Sequence, residues 1–267
     1  MVSPARNRLI LGVRLHEQEA NVALCEEFEK TGRWLFRWRS YLPVLFAGIF
    51  LLALRESEHP GRSEQWEVIW EVFCVLVSFT GLGLRALTVG YAPKGTSGRN
   101  TKEQIADTLN TTGVYSVVRN PLYLGNFFMG LGVALFAHLW WLALIYILSF
   151  WLYYERIIFA EEAFLRERFG NQFVEWAQRT PAFIPNFSIW KQPSLPFSLK
   201  NVLKREYNGL FAVVVVFFIL EVVGDIFAEG KLELDPMWGS ILCVTFIAWA
   251  ILRTLKKKTA ILKVDGR

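Results

Sequence analysis

The chain has 267 residues, of which 53% are hydrophobic and 15% aromatic, with a mean hydropathy of +0.30 and a formal charge of +5. That apolar content excludes an ordinary soluble domain of this length and points to an integral membrane protein. Its basic residues are gathered by loop and form no stripe, so the positive charge does not indicate a nucleic-acid partner. Cys25, Cys74 and Cys243 lack metal-ligand spacing, and two of them lie in apolar runs. They read as small buried side chains, with neither a disulfide framework nor a metal site.

Taken in order, the chain divides into a cytosolic N-terminal leader over 1–40, a membrane core over 41–190, and a C-terminal interfacial segment with a transmembrane hairpin over 191–267. The leader is too charged for a signal peptide, carrying Arg6, Arg8 and Arg14 followed by Glu17, Glu19, Glu26 and Glu27. Trp34 to Arg39 has the aromatic-basic pattern of a helix entering the headgroup layer. A first span over 41–54 is short and borrows part of that segment, with Arg37 and Arg39 snorkelling. Span 2 covers about 66–89 and contains Glu67, Glu71 and Arg85; a turn-rich polar linker over 92–112 follows.

Span 3 runs over about 121–137, where Gly125, Gly130 and Gly132 permit close helix approach. Only His138 to Trp141 separate it from span 4, which predicts a tight antiparallel hairpin. The spacing of Leu165, Phe169, Phe173 and Trp176 predicts an amphipathic interfacial helix over 161–177, and 187–206 reads as a second, basic interfacial stretch. Spans 5 and 6, over about 209–228 and 237–252, close the chain. The expected fold is all-α, a polytopic bundle of about six transmembrane helices with interfacial amphipathic helices. The loops 55–65 and 229–236 hold only Arg55, Arg62 and Lys231 among the Lys and Arg residues, so the positive-inside rule puts both termini in the cytosol.

The segment Gly113 to Gly125 is where polar chemistry meets the apolar helices. Pro121 fixes its own φ and biases Asn120 away from helix, so span 3 starts at Pro121 with Asn120 as its N-cap. Arg119-Asn120-Pro121-x-Tyr123-x-Gly125, then Glu161-Glu162, Phe169-Gly170 and Pro185, resembles the isoprenylcysteine carboxyl methyltransferase and phospholipid methyltransferase superfamily over about 66–190. Individually these residues have plain readings: a snorkelling arginine, a solvated helix start, interface-belt tyrosines. Their ordered combination carries the resemblance.

The resemblance implies a methyltransferase that uses S-adenosylmethionine and acts on a membrane lipid or lipidated substrate, with no metal. It implies a cofactor site at Tyr115, Arg119, Asn120, Pro121, Tyr123, Gly125, Glu161 and Glu162, with Arg119, Glu162 and Glu155 as catalytic candidates. Arg119 and the helix start suit the cofactor carboxylate, the glutamates its hydroxyls or amine, and the tyrosine rings its adenine or sulfonium. Arg85 is a candidate of the same standing as Glu155. The superfamily commonly has His where this chain has Asn120, and asparagine cannot titrate near neutral pH. Glu221 and Asp225 lie four residues apart towards the outer face, where contact with another span or with headgroups is expected. Two rival readings remain: a membrane sterol-type reductase using NADPH through Lys94, Arg99 and Lys102, and a non-catalytic scaffold.

Overall fold

A computed structural model describes residues 26–38, 48–50, 53, 64–93, 95–96, 106–232, 234–264 and 266–267. Every regular element among them is helical. The helices are α1 (residues 26–38), α2 (Glu64–Tyr91), α3 (Val114–Val117), α4 (Pro121–Phe136), α5 (Trp140–Phe169), α6 (Asn171–Arg179), α7 (Leu199–Glu229) and α8 (Pro236–Lys258). Four of these, α2, α5, α7 and α8, are long and apolar enough to cross a membrane, and α4 is a shorter apolar helix. The protein is a polytopic helical membrane protein. Most of the first expected span, and Lys94, Arg99 and Lys102, lie outside the described residues.

Local chemistry sets the helix ends. Pro121 occupies the first turn of α4, where its missing N–H costs nothing. α5 runs for 30 residues without glycine or proline and stops at Gly170, whose φ of 54° suits glycine. Ser198 caps α7 by accepting from the Asn201 N–H, Asp235 caps α8 by accepting from Met237, and Pro236 follows it. Two expectations are corrected here. Glu161-Glu162 does not open a separate interfacial helix, because charge alone does not interrupt a helix; α5 continues through it to Phe169, and the separate helix α6 is only Asn171–Arg179. Residues 199–206, read as interfacial, form the first turns of α7.

Packing centres on the antiparallel crossing of α2 and α4. A methyl group on Gly81 would overlap the Gly125 carbonyl oxygen and stand 2.6 Å from the Met129 nitrogen, and one on Gly125 would stand 2.5 Å from the Arg85 Cγ. Further along, Gly132 meets the backbone of Cys74 and Ser78, while Ser78 donates to the Met129 carbonyl at 2.8 Å. α4 turns into α5 as a tight hairpin through His138, whose ring stacks on Trp70. α7 packs against α2 and α8, with Phe217, Val213, Cys74 and Trp238 in one buried cluster. Within α1, a side chain on Gly32 would meet the Arg156 carbonyl and the Ala160 Cβ of α5, and Tyr153 donates to the Leu35 carbonyl at 3.1 Å.

At the end of the bundle away from the motif, Glu221 of α7 lies within electrostatic reach of Glu71 of α2. It therefore lies near another span, far from the Arg119 segment.

The crossing generates a stability test. Gly125→Val should destabilise the protein by about 1–3 kcal/mol through overpacking. Gly83→Ala, at an α2 position with open space around it, should be neutral or slightly stabilising. Thermal unfolding of both variants in detergent measures the difference.

Candidate functional site

The motif segment is held from one side by the chain that follows α5. Gly113, with φ 60°, donates to the Lys191 carbonyl, and its position close to Pro193 leaves little room for a side chain. Val114, Val117, Val118 and Leu124 form a buried cluster that anchors the one-turn helix α3. Arg119 N–H donates to Pro181 O at 2.9 Å, Asn186 N–H to Val117 O at 2.9 Å, and Trp176 Nε1 to Tyr115 O at 3.2 Å. Ser116 donates to Gly113 O and accepts from the Lys191 N–H. The residues 176–191 thus act as a strap over 113–120.

Within that frame the two polar segments, some forty residues apart in sequence, meet. Arg119 Nε lies 3.0 Å from Glu162 Oε1, and Arg119 Nη1 donates to the Ala177 carbonyl at 2.9 Å. The ion pair is close but poorly aligned, so Arg119 Nε and Glu162 Oε1 are both buried without a hydrogen-bond partner among the described residues. Tyr123 Oη donates to Glu161 Oε1 at 2.7 Å, and the Tyr123 ring packs on Tyr154 with centroids 4.7 Å apart. The tight α4–α5 hairpin makes this convergence possible, since the start of one helix faces the end of the other.

The remaining expected residues divide. Asn120 sits at the N-cap position but caps nothing with its side chain; its Nδ2 donates instead to the Ala182 carbonyl at 3.0 Å, tying α4 to the strap. Pro121 is buried in the first turn. Gly125 turns its bare face to Gly81 and Arg85, so its place is in the helix crossing. Tyr115 lies within the electrostatic reach of Arg205, Glu161 and Arg85; burial pushes its hydroxyl up to about 12, with Arg205 and Arg85 opposing and Glu161 adding to the shift. Tyr115 therefore stays a neutral hydrogen-bond donor across the physiological range. Glu155 is not gathered with the others. It is exposed, one residue and about 100° around the helix from Tyr154.

A buried network borders these residues. Arg85 grips Glu206 of α7 with both Nε and Nη2, at 2.8 and 2.9 Å, and donates from Nη1 to Asn126 Oδ1 at 2.7 Å. Asn126 Nδ2 points to Tyr154 Oη at 3.4 Å. Glu206 and Asn126 were not among the expected site residues. Asn126 did carry a signal, being the one amide in an apolar helix and three residues beyond Tyr123; Glu206 stood inside a stretch read as basic. Beside Arg119, an open cleft of about 510 Å³ is lined by Arg179, Gln178, Thr180, Pro185 and Asn186.

Residues 68–172 match the model of the phospholipid methyltransferase family. Over this segment the chain is similar to the phospholipid and isoprenylcysteine methyltransferase superfamily. The match takes in Arg85, the Arg119 motif, Asn126, Tyr154 and both glutamates, and ends before the strap and before Glu206. A nickel-cobalt-cadmium resistance protein of Alcaligenes xylosoxydans xylosoxydans is 35% identical over 132 residues, covering 49% of this chain and 59% of that protein. A cobalt-zinc-cadmium resistance protein of Cupriavidus metallidurans is 34% identical over 132 residues, covering 49% and 58%. A protein-S-isoprenylcysteine O-methyltransferase of Schizosaccharomyces pombe is 32% identical over 77 residues, covering 29% and 33%. The chain thus spans under two thirds of the length of these relatives. No solved structure matches it.

The Tyr123–Glu161 contact yields a direct test. Tyr123→Phe removes a donor to a carboxylate and should cost about 1.5–3 kcal/mol of stability, read as a lowered melting temperature in detergent.

Proposed function

We propose that the protein is an integral-membrane methyltransferase that uses S-adenosylmethionine and acts on a lipid or lipidated substrate. The observation that carries this reading is the meeting of Arg119 with Glu162 and of Tyr123 with Glu161 at one end of the helical bundle. Two buried polar atoms there, Arg119 Nε and Glu162 Oε1, lack aligned partners, so this donor and acceptor suit a zwitterionic ligand. They would hold the amino-acid end of the cofactor, with the cleft beside Arg119 as its approach. Glu161 and the neutral Tyr115 hydroxyl would serve its remaining polar groups. When bound, S-adenosylmethionine supplies an electrophilic methyl group on a sulfonium.

The chain's own contribution is then to hold, orient and exclude water. Between packed helices the dielectric is low, which favours neutralisation of charge when the accepting group is a carboxylate. In that case no strong general base is needed, in keeping with an asparagine at position 120. When the accepting group is an amine, a proton must leave, and a carboxylate oxygen of Glu161 or Glu162 would take it. Glu155, exposed and two helical turns before Glu162, is left out of this machinery.

Orientation belongs to the same proposal. The end of the bundle that bears the motif is basic, with Lys200, Lys204, Arg205, Arg253 and Lys256 to Lys258, and the opposite end is acidic, with Glu67, Glu71, Glu221 and Asp235. By the positive-inside rule the site and both termini face the cytosol. A C-terminal tag should be reached by antibody only after the membrane is permeabilised; labelling of intact cells would reverse the orientation.

Calorimetry on detergent-purified protein tests the activity reading. S-adenosylhomocysteine should bind, and Arg119→Ala and Glu162→Ala should each weaken it by about 1.5–3 kcal/mol while the helical circular dichroism is kept. Asn120→His keeps a donor for the Ala182 carbonyl and should leave binding unchanged. Saturable NADPH binding without S-adenosylhomocysteine binding would replace the proposal with the reductase reading, and binding of neither would favour a scaffold.

A further inference from the structure

The family match ends at residue 172, yet Arg85, within it, is held by a side chain beyond it. Glu206 comes from the second turn of α7, 121 residues after Arg85, and its carboxylate faces the guanidinium fork at 2.8 and 2.9 Å. The pair is deep: the side chains are 16% and 6% exposed. A bidentate carboxylate fixes the plane of a guanidinium as well as neutralising it. That plane decides where the remaining nitrogen, Nη1, can donate, and it donates to Asn126 Oδ1 at 2.7 Å. With Oδ1 taken, the amide must turn its Nδ2 the other way, towards Tyr154 Oη at 3.4 Å. Tyr154 in turn is packed between Phe150 and Tyr123, and Tyr123 donates to Glu161.

We propose that Glu206 is a positioning residue: through Arg85 and Asn126 it sets the rotamer of Tyr154 and thereby holds Tyr123 against Glu161. The C-terminal hairpin is then part of the site's support, although neither of its helices lies in the matched segment. This rests on the reading of the Tyr123–Glu161 region as a cofactor site only for its functional consequence; the mechanical relay stands on the contacts themselves.

The test uses the full-length protein in detergent and two readouts, S-adenosylhomocysteine affinity and hydrogen–deuterium exchange over residues 121–126 and 154–162. Glu206→Gln, which keeps size but loses the charge and one acceptor, should weaken binding about 10- to 100-fold, the scale of a charged hydrogen bond, and should speed exchange in both segments. Asn126→Ala leaves the Arg85–Glu206 pair intact and cuts the relay behind it; it should give the same two effects. The double variant Arg85→Gln with Glu206→Gln removes both charges together and should remain weak, because nothing then orients the amide. Restoration of affinity and exchange in the double variant would mean that Glu206 only neutralises Arg85, and would overturn the proposal. Unchanged exchange in Asn126→Ala would overturn it as well. If the wild-type protein binds no S-adenosylhomocysteine, the methyltransferase reading fails by itself, and the exchange measurements still decide the relay.

Discussion

The contact on which this architecture depends is the approach of two helix backbones at Gly81 and Gly125. Without a hydrophobic driving force between helices in lipid, association relies on close packing and on polar contacts made across the interface. Bare glycines let α2 and α4 come near enough for the Gly81 and Gly125 backbones to touch, and Gly132 continues the seam beside Cys74 and Ser78. That closeness brings Arg85, on the next turn of α2, alongside Asn126, on the first turns of α4. The motif's last glycine therefore shapes the site indirectly, by admitting a neighbouring helix that carries the arginine.

Once an arginine is placed between apolar helices, its charge must be met. Removing a partner from a buried pair is costly because the other charge is left without compensation. Here α7 supplies the counter-charge in Glu206, and the same helix is tied to α2 by Asn201, whose side chain donates to the Val89 carbonyl at 2.8 Å. Arg267 also reaches back to the Gly90 carbonyl. The end of α2 is thus fastened from three places that lie outside the family match. A membrane-embedded protein has few other ways to stiffen a polar site, since water is excluded and every donor must find an acceptor within the protein.

Sequence reasoning recovered the meeting of Arg119 with the paired glutamates for a sound physical reason. Four residues between spans 3 and 4 leave no alternative to an antiparallel hairpin, and the charge distribution puts both polar segments on one side. It began a separate interfacial helix at residue 161, with span 4 ending at about Ala160, because charges mark the limits of hydrophobicity and not the limits of a helix; Gly170 was the real stop. It could place Asn120 at the helix start from Pro121, but not foresee that the amide would turn to Ala182, since the strap that offers that carbonyl lies 62 residues on. Glu155 was drawn in by proximity in sequence; it shares a helix face with Glu162, two turns away, and is exposed. Glu206 was invisible for the opposite reason: its partner is 121 residues away, and no local period connects them.

The position of Asn120 bears on how the site can work. A histidine there would offer a titrating group beside Glu162; the asparagine offers a non-titrating amide, and its Nδ2 donates to the backbone of the strap. In this chain the position therefore joins α4 to residues 180–186, the same residues that receive Arg119 N–H and line the cleft beside it. Arg119 and Asn120 together pin the strap at two consecutive residues, so the cleft and the ion pair keep a fixed relation. On the proposed methyltransferase reading, proton transfer would fall to the two glutamates at the end of α5. The helix that carries them is continuous from Trp140, so their placement is inherited from the hairpin and from the glycine crossing behind it.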